Sequence, residues 1–164
     1  MLGYLILSAG IGGACGVGWW LVADRPGYLV GESGGARTTE LGLTQFASAD
    51  AWFTLIGLVV GVLLGWLAWR LFASAGSPVV LLAVLAATLA GLACWAVGYQ
   101  LGPGPFAPRL AAAGAGDLVP IELTVRARAA LLVWPFGSTI PILLASSLGP
   151  DPQEPSPLFR RRVP

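Results

Sequence analysis

Two hydroxyl side chains, Ser138 and Thr139, stand between two prolines in an otherwise apolar stretch of this sequence. Pro135 and Pro141 lack a backbone N–H, so a helix that contains them leaves carbonyl groups without their usual donors. A helix interrupted in this way can present backbone dipoles and hydroxyl groups to a small solute. Ser138 and Thr139 therefore form the candidate polar site. The competing interpretation is a structural kink, satisfied by these hydroxyls and by neighbouring helices.

Small residues recur at four-residue spacing in three further apolar stretches. This spacing places them on one face of a helix, where they allow two backbones to approach closely within a membrane. We interpret these faces as helix-packing surfaces, either within one bundle or against a partner or a second copy of the chain. The predicted packing residues are Gly12 and Gly16, then Gly57, Gly61 and Gly65, and finally Ala83, Ala87 and Gly91.

Charged residues lie at the ends of the apolar stretches and in the segments between them. A ring of such charges can bind a lipid headgroup or a partner loop. More often, charged residues in these places are solvated caps and local ion pairs, each worth under about 1 kcal/mol. The residues concerned are Asp24, Arg25, Asp50, Asp117, Glu122, Arg126 and Arg128.

The sequence contains no histidine, which is the commonest metal ligand and general base in proteins. It also lacks a glycine-rich phosphate loop, metal-ligand spacing and a nucleophile beside a base. No Asp, Glu, Lys, Arg or His lies in the interior of an apolar stretch, whereas proton relays and ion pathways depend on such residues. The nine arginines are too scattered to follow a nucleic acid backbone. We therefore expect no enzyme, no metal, no cofactor, no coupled transport and no nucleic acid binding.

Composition indicates that the lipid bilayer surrounds most of this chain. Hydrophobic residues make up 56% of the sequence and charged residues 10%, with a mean hydropathy of +0.79; soluble domains carry about 25% charged residues. About 20 apolar residues are needed to cross the hydrocarbon core. Four stretches are long enough, at about 2–23, 51–73, 79–101 and 129–148, with Ser48 as a candidate cap for the second. Residues 1–148 are thus predicted to form an all-α, four-transmembrane-helix bundle.

The two longer connections, residues 24–50 and 102–128, contain strand-like pieces. Residues 28–30 and 36–39 flank a glycine-rich turn and are typical of a hairpin. Residues 121–125 alternate apolar and polar side chains, as a half-buried strand does. We predict that these loops meet in a small extracytoplasmic β-cap over the bundle.

Four spans place both termini on one side of the membrane. Because the strand-bearing loops have the character of a folded external cap, we expect both termini in the cytoplasm and a multi-pass protein of the cytoplasmic membrane. The tail, residues 149–164, is rich in proline and predicted to be disordered. Its Arg160, Arg161 and Arg162 are expected to act as an orientation signal and as an anchor at an anionic surface.

Several segments resemble those of a known group of proteins. They are Ala49-Asp50-Ala51-Trp52-Phe53 followed by Gly57-Leu58-Val59-Val60-Gly61, then Leu101-Gly102-Pro103-Gly104-Pro105, and Leu131-Leu132-Val133-Trp134-Pro135. Together the segments resemble uncharacterised actinobacterial membrane proteins that are grouped as a domain of unknown function, over about residues 19–148. The resemblance implies a four-helix protein of a Gram-positive-type cell envelope with cytoplasmic termini. It transfers no activity and no functional residue.

These observations favour a non-enzymatic structural or accessory protein of the membrane. Its packing faces and its cap would bind another cell-envelope membrane protein or a second copy of the chain. The alternative is a passive channel or small-solute permease lined by the broken fourth helix.

Overall fold

The computed structural model describes residues 1–25, 27–31, 36–37 and 40–148, with side chains for all of these except 36–37 and 40–46. Four helices are long and apolar enough to cross a membrane. The elements in chain order are α1 (Leu2–Val22), β1 (Gly27–Val30), β2 (Ala36–Arg37), α2 (Glu40–Phe72), α3 (Pro78–Leu101), α4 (Phe106–Ala111), β3 (Leu118–Pro120) and α5 (Ala129–Leu148). A single 3₁₀ turn, Ala73–Ala75, connects α2 to α3. The predicted tail, 149–164, lies outside the described residues.

Three of the four long helices have the bounds that hydropathy predicted, but α2 does not. It begins at Glu40 rather than near residue 51, so the prediction that the first connection extends to residue 50 was wrong. Ser48 was expected to cap this helix, yet it lies inside it, and its hydroxyl donates to Asp24 Oδ2 at 3.2 Å. Helical backbone satisfies its own hydrogen bonds, so it can continue past the apolar region without a change of structure.

The long helices form two parallel pairs. α1 packs chiefly on α3, and α2 chiefly on α5, while α3 also contacts both α5 and α2. Because successive long helices reverse direction, α1 and α3 run towards the sheet, whereas α2 and α5 run away from it. α1 and α2 touch each other only slightly. The order around the bundle is therefore α1, α3, α5, α2.

Aromatic rings and alanines fill the centre of the bundle. Trp19 packs edge-on against Phe53, with ring centroids 5.2 Å apart, and Phe53 lies 5.5 Å from the Trp134 ring. Ala86 and Ala90 on α3 are also fully buried. A Cβ at Gly91 would lie 3.0 Å from Cγ of Trp134, and one at Gly98 would overlap the Trp19 ring. Glycines on α3 thus leave space for two of the three rings.

The two connections at one end of the bundle form a three-stranded antiparallel sheet in the order β2-β1-β3. The predicted meeting of the two loops in one small sheet is confirmed. Leu29 pairs with Arg37 in the hairpin and with Leu118 in β3. Residues 38–39, predicted to extend the hairpin, lie outside the described residues.

The position predicted for the third strand was wrong, because β3 covers 118–120 and residues 121–125 pair with no strand of the described chain. Ile121 and Leu123 are nevertheless buried, and Leu123 belongs to the core cluster at the end of the bundle. The alternation in the sequence therefore reports which side chains face the core. An extended segment can alternate in this way without a neighbouring strand.

Candidate functional site

Gly12 and Gly16 bring α1 against the backbone of α3. A Cβ atom at Gly12 would overlap the carbonyl oxygen of Ala90, and one at Gly16 would lie 2.6 Å from the carbonyl oxygen of Cys94. Both separations are impossible for a real side chain. Glycine is therefore required at both positions for the observed distance between α1 and α3.

The contact between α2 and α5 is built in the same way, with glycines of one helix against backbone carbonyls of the other. Gly61 lies against the carbonyl of Trp134, and Gly65 lies against the carbonyl of Ser138. From the opposite side, a Cβ at Gly137 would stand 3.0 Å from the carbonyl oxygen of Leu58. Both helices of this pair thus present backbone to each other.

The remaining predicted packing residues also face the interior of the chain. Gly57 lies under the indole of Trp134, and a Cβ at Gly91 would be 3.0 Å from Cγ of the same ring. Ala83 and Ala87 are fully buried. The small-residue faces singled out in the sequence are therefore covered by this chain's own helices, which leaves them unavailable to a partner.

The two hydroxyls of the candidate polar site are both used inside α5. Ser138 is fully buried and its Oγ donates to the carbonyl oxygen of Pro135 at 2.7 Å. The Oγ1 of Thr139 donates to the carbonyl oxygen of Phe136 at 2.8 Å. Neither bond reaches the carbonyls of Leu131 and Gly137, whose usual donors Pro135 and Pro141 lack. The hydroxyls thus bond back to their own helix rather than facing a solute path.

Two side chains that the sequence reading did not single out connect α1 to α2. The hydroxyl of Tyr4 donates to the carbonyl oxygen of Leu64 at 2.7 Å, and the indole N–H of Trp19 donates to that of Ala49 at 2.8 Å. They lie near opposite ends of α1, whose contact with α2 is otherwise slight. The residue types could have indicated these bonds in the sequence, because a buried tyrosine or tryptophan usually needs a hydrogen-bond acceptor.

One fully buried tryptophan has no such acceptor. The indole N–H of Trp134 makes no hydrogen bond within the described part of the chain. Its ring is nonetheless closely surrounded by Gly57, Gly91 and Phe53. Trp134 therefore acts as a space-filling group whose polar atom is unsatisfied.

The carboxylates of Asp50, on α2, and of Glu122, between β3 and α5, hold loop backbone in place. The oxygens of Asp50 accept the backbone N–H of Arg126 at 3.0 Å and that of Ala127 at 2.8 Å, just before α5 begins. Glu122 accepts the N–H of Phe106 at 3.3 Å. These separate contacts correspond to the interpretation of the charged residues as local caps, and they do not converge on one point.

Arg109, on α4, donates to three backbone carbonyls of the cap. Its Nη2 donates to the carbonyl oxygens of Pro120 at 2.6 Å and Gly104 at 3.2 Å, and its Nε donates to that of Pro105 at 3.3 Å. The guanidinium thereby ties α4 to β3. An open groove of about 360 Å³ runs between these two elements, lined by Arg109, Ala112, Ala113 and residues 117–120.

Metal-ligating residues do not cluster in the described residues: no group of three or more Cys, Asp or Glu side chains there is arranged to hold a metal ion. Cys15 on α1 and Cys94 on α3 are both free thiols.

Comparison of the chain with protein-family models, with curated proteins and with solved structures gives no match. The resemblance to uncharacterised actinobacterial membrane proteins therefore stays a prediction.

Proposed function

We propose that the protein is a non-enzymatic structural or accessory component of the cytoplasmic membrane, which binds another cell-envelope membrane protein or a second copy of itself. Its four long helices cross the bilayer, its sheet lies on the outer side, and both termini are cytoplasmic. Two surfaces support this proposal, one facing lipid and one outside it.

The outer surface of the four helices supports their insertion in the bilayer. Large apolar side chains such as Ile6, Leu81 and Leu132 are exposed there. Contiguous apolar surface on this scale is unfavourable in water but matches the hydrocarbon of a membrane. At opposite ends of the bundle, Arg25 stacks over Trp20 and Arg70 over Trp66, with guanidinium carbons 5.3 and 4.9 Å from the ring centroids. Arginine and tryptophan are typical of the two membrane interfaces.

The observation that carries the proposed partner binding is a pair of leucines on the sheet. Leu29 and Leu118 are directly paired across strands, so their side chains lie on one face. They are 48% and 64% exposed. The sheet belongs to the connections between the long helices, which the proposed topology places outside the hydrocarbon, so lipid does not cover this pair. Its burial by a partner protein would remove apolar surface from water.

An uncovered face of α1 adds support within the bilayer. Gly10, Ala14 and Gly18 follow at four-residue spacing on the side of α1 that points away from α3. A Cβ at Gly10 or Gly18 would meet no other heavy atom within 4 Å. A second helix can approach closely at such positions, so association does not require the internal glycine faces.

The passive channel lined by α5 gains no supporting observation. Trp19, Phe53 and Trp134 fill the centre of the bundle, and Ser138 is bonded within its own helix. A solute path would require these groups to move apart.

The test is gentle solubilisation of the full-length protein from native membranes, followed by native mass spectrometry. We expect a stoichiometric complex with a second protein or a second copy. Exchange of both Leu29 and Leu118 for Gln should reduce the complex at least tenfold, whereas Ala107→Gln, at an exposed position of α4, should not. A monomer under all gentle conditions would contradict the proposal. Solute flux in liposomes that falls on Ser138→Leu would favour the channel instead.

A further inference from the structure

The groove between α4 and β3 runs along an open edge of the sheet. β3 is an outer strand in the order β2-β1-β3. The N–H of Val30 donates to the carbonyl of Asp117 at 3.0 Å, so the carbonyl of Asp117 and the backbone groups of Val119 point towards β1. The N–H of Asp117 instead donates to the carbonyl of Gly114 at 3.1 Å. By the alternation of an antiparallel ladder, the N–H and C=O of Leu118 point away from β1. Neither group has a hydrogen-bond partner in the described part of the chain.

The next residue with outward backbone groups is already occupied. Pro120 has no N–H, and its carbonyl oxygen accepts from Arg109. Proline and a charged side chain are common means of blocking an edge strand. Only one end of β3 is blocked in this way, and the open end is Leu118.

The charge of Arg109 is held rigidly but is not neutralised. All three of its acceptors are backbone carbonyls, and no carboxylate among the described residues pairs with it. Its Nη1 donates no hydrogen bond within that part of the chain. A guanidinium fixed in this way is prepared to bind a carboxylate, because little conformational freedom is lost on binding.

The other residues that line the groove limit which kind of ligand can carry a carboxylate to Arg109. Ala112, Ala113 and Val119 offer apolar lining, while Asp117 adds one negative charge whose Oδ2 accepts the N–H of Gly114 at 2.8 Å. A multiply charged ligand such as a phosphate would be repelled by Asp117. A partly apolar chain with a single carboxylate carries less negative charge, so its repulsion by Asp117 is smaller.

We propose that this groove binds an extended peptide segment of the partner protein, paired with the backbone of Leu118 and carrying one carboxylate that contacts Arg109. Strand addition of this kind takes its affinity from main-chain hydrogen bonds and its specificity from side-chain pockets. With one residue open on the edge and one ion pair, the interaction is weak and readily reversible. This inference rests on the proposed function, since it names the part of the partner that the cap holds.

The experiment uses the purified full-length protein in nanodiscs and two pools of acetylated, amidated pentapeptides. Both pools have Val or Thr at four positions, and the fifth is Asp in one pool and Asn in the other. We expect the Asp pool to bind at least tenfold more tightly and to slow amide hydrogen exchange at Leu118 at least tenfold. The Asn pool at the same concentration should leave that exchange nearly unchanged.

Two variants locate the site. Ala112→Glu, just after α4, places a repelling charge in the groove at an exposed position and should weaken binding of the Asp pool at least tenfold, while Ala107→Glu on α4 should not. Arg109→Gln should abolish the preference for Asp, with folding checked by the hydrogen exchange of the sheet.

Equal binding of the two pools, unchanged exchange at Leu118, or no binding at about 1 mM peptide would overturn the inference. If the peptides fail while a complex sensitive to Leu29 and Leu118 is still isolated, only this inference falls and the proposed function stands.

Discussion

Gly65 in α2 lies against the backbone carbonyl of Ser138 in α5, with no room for a side chain between them. One turn earlier, Gly61 meets the carbonyl of Trp134, and Gly12 meets that of Ala90 in the other parallel pair. Such close contact between backbones supplies dispersion and weak Cα–H···O interactions. The two helix pairs are therefore held by the same device.

A methyl group should have opposite effects at two glycines of this protein. Gly65→Ala forces a Cβ into the Ser138 carbonyl and should cost about 1–3 kcal/mol as α2 and α5 separate. Gly10→Ala meets no heavy atom within 4 Å and should be neutral or stabilising by up to about 1 kcal/mol, because alanine favours the helix. Unfolding of the two purified variants in a denaturant series measures both values. Equal stability of the two variants would mean that the α2–α5 contact is looser than described.

Two buried tryptophans allow the contribution of an indole hydrogen bond to be isolated. Trp19 and Trp134 are both fully buried, but only Trp19 has an acceptor. Exchange of either for Phe removes the same volume, so the two cavities are comparable. Because Trp19→Phe loses a bond and Trp134→Phe removes an unsatisfied donor, we expect Trp19→Phe to be the less stable variant by about 1–3 kcal/mol. Thermal unfolding followed by circular dichroism compares them, and a less stable Trp134→Phe would contradict this account.

Asp50→Asn should loosen the entry into α5. An amide keeps one acceptor oxygen where the carboxylate has two, so only one of the N–H groups of Arg126 and Ala127 remains bonded. We expect faster hydrogen exchange at one or both amides and a loss of about 1 kcal/mol. The matched control is Asp24→Asn, since Asp24 accepts, within the described residues, only the Ser48 hydroxyl. Unchanged exchange at both amides would show that other contacts hold this segment.

Arg109→Lys should open the cap while leaving the four long helices intact. Lysine keeps the positive charge but has no planar fork with which to reach three carbonyls at once. Limited proteolysis should therefore cut the segment between α3 and α5 sooner, with helical circular dichroism unchanged. Arg70→Lys, whose guanidinium stacks on Trp66 at the other end of the bundle, serves as the control. Equal cleavage of both variants would contradict the role given to Arg109.

Hydropathy predicted the bounds of three long helices but not those of the fourth. The bounds of α1, α3 and α5 followed from hydropathy, since each apolar stretch ends in prolines, glycines or charges that change the local preference of the chain. The start of α2 did not, because Ser48 and Asp50 have the character of caps in isolation. In the folded chain they bind Asp24 and the loop before α5.

The sequence by itself determined the number of span-length helices, the small-residue spacing within them and the pairing of the two long connections. These properties depend on composition and on residues close together in the chain. Only the tertiary structure decided which carbonyl each glycine meets, that Tyr4 and Trp19 bond to α2, and that Arg109 rather than a predicted polar residue organises the cap. Such contacts join residues far apart in sequence, and many partners of similar chemistry compete for each. The choice among them depends on how the helices and loops pack as a whole.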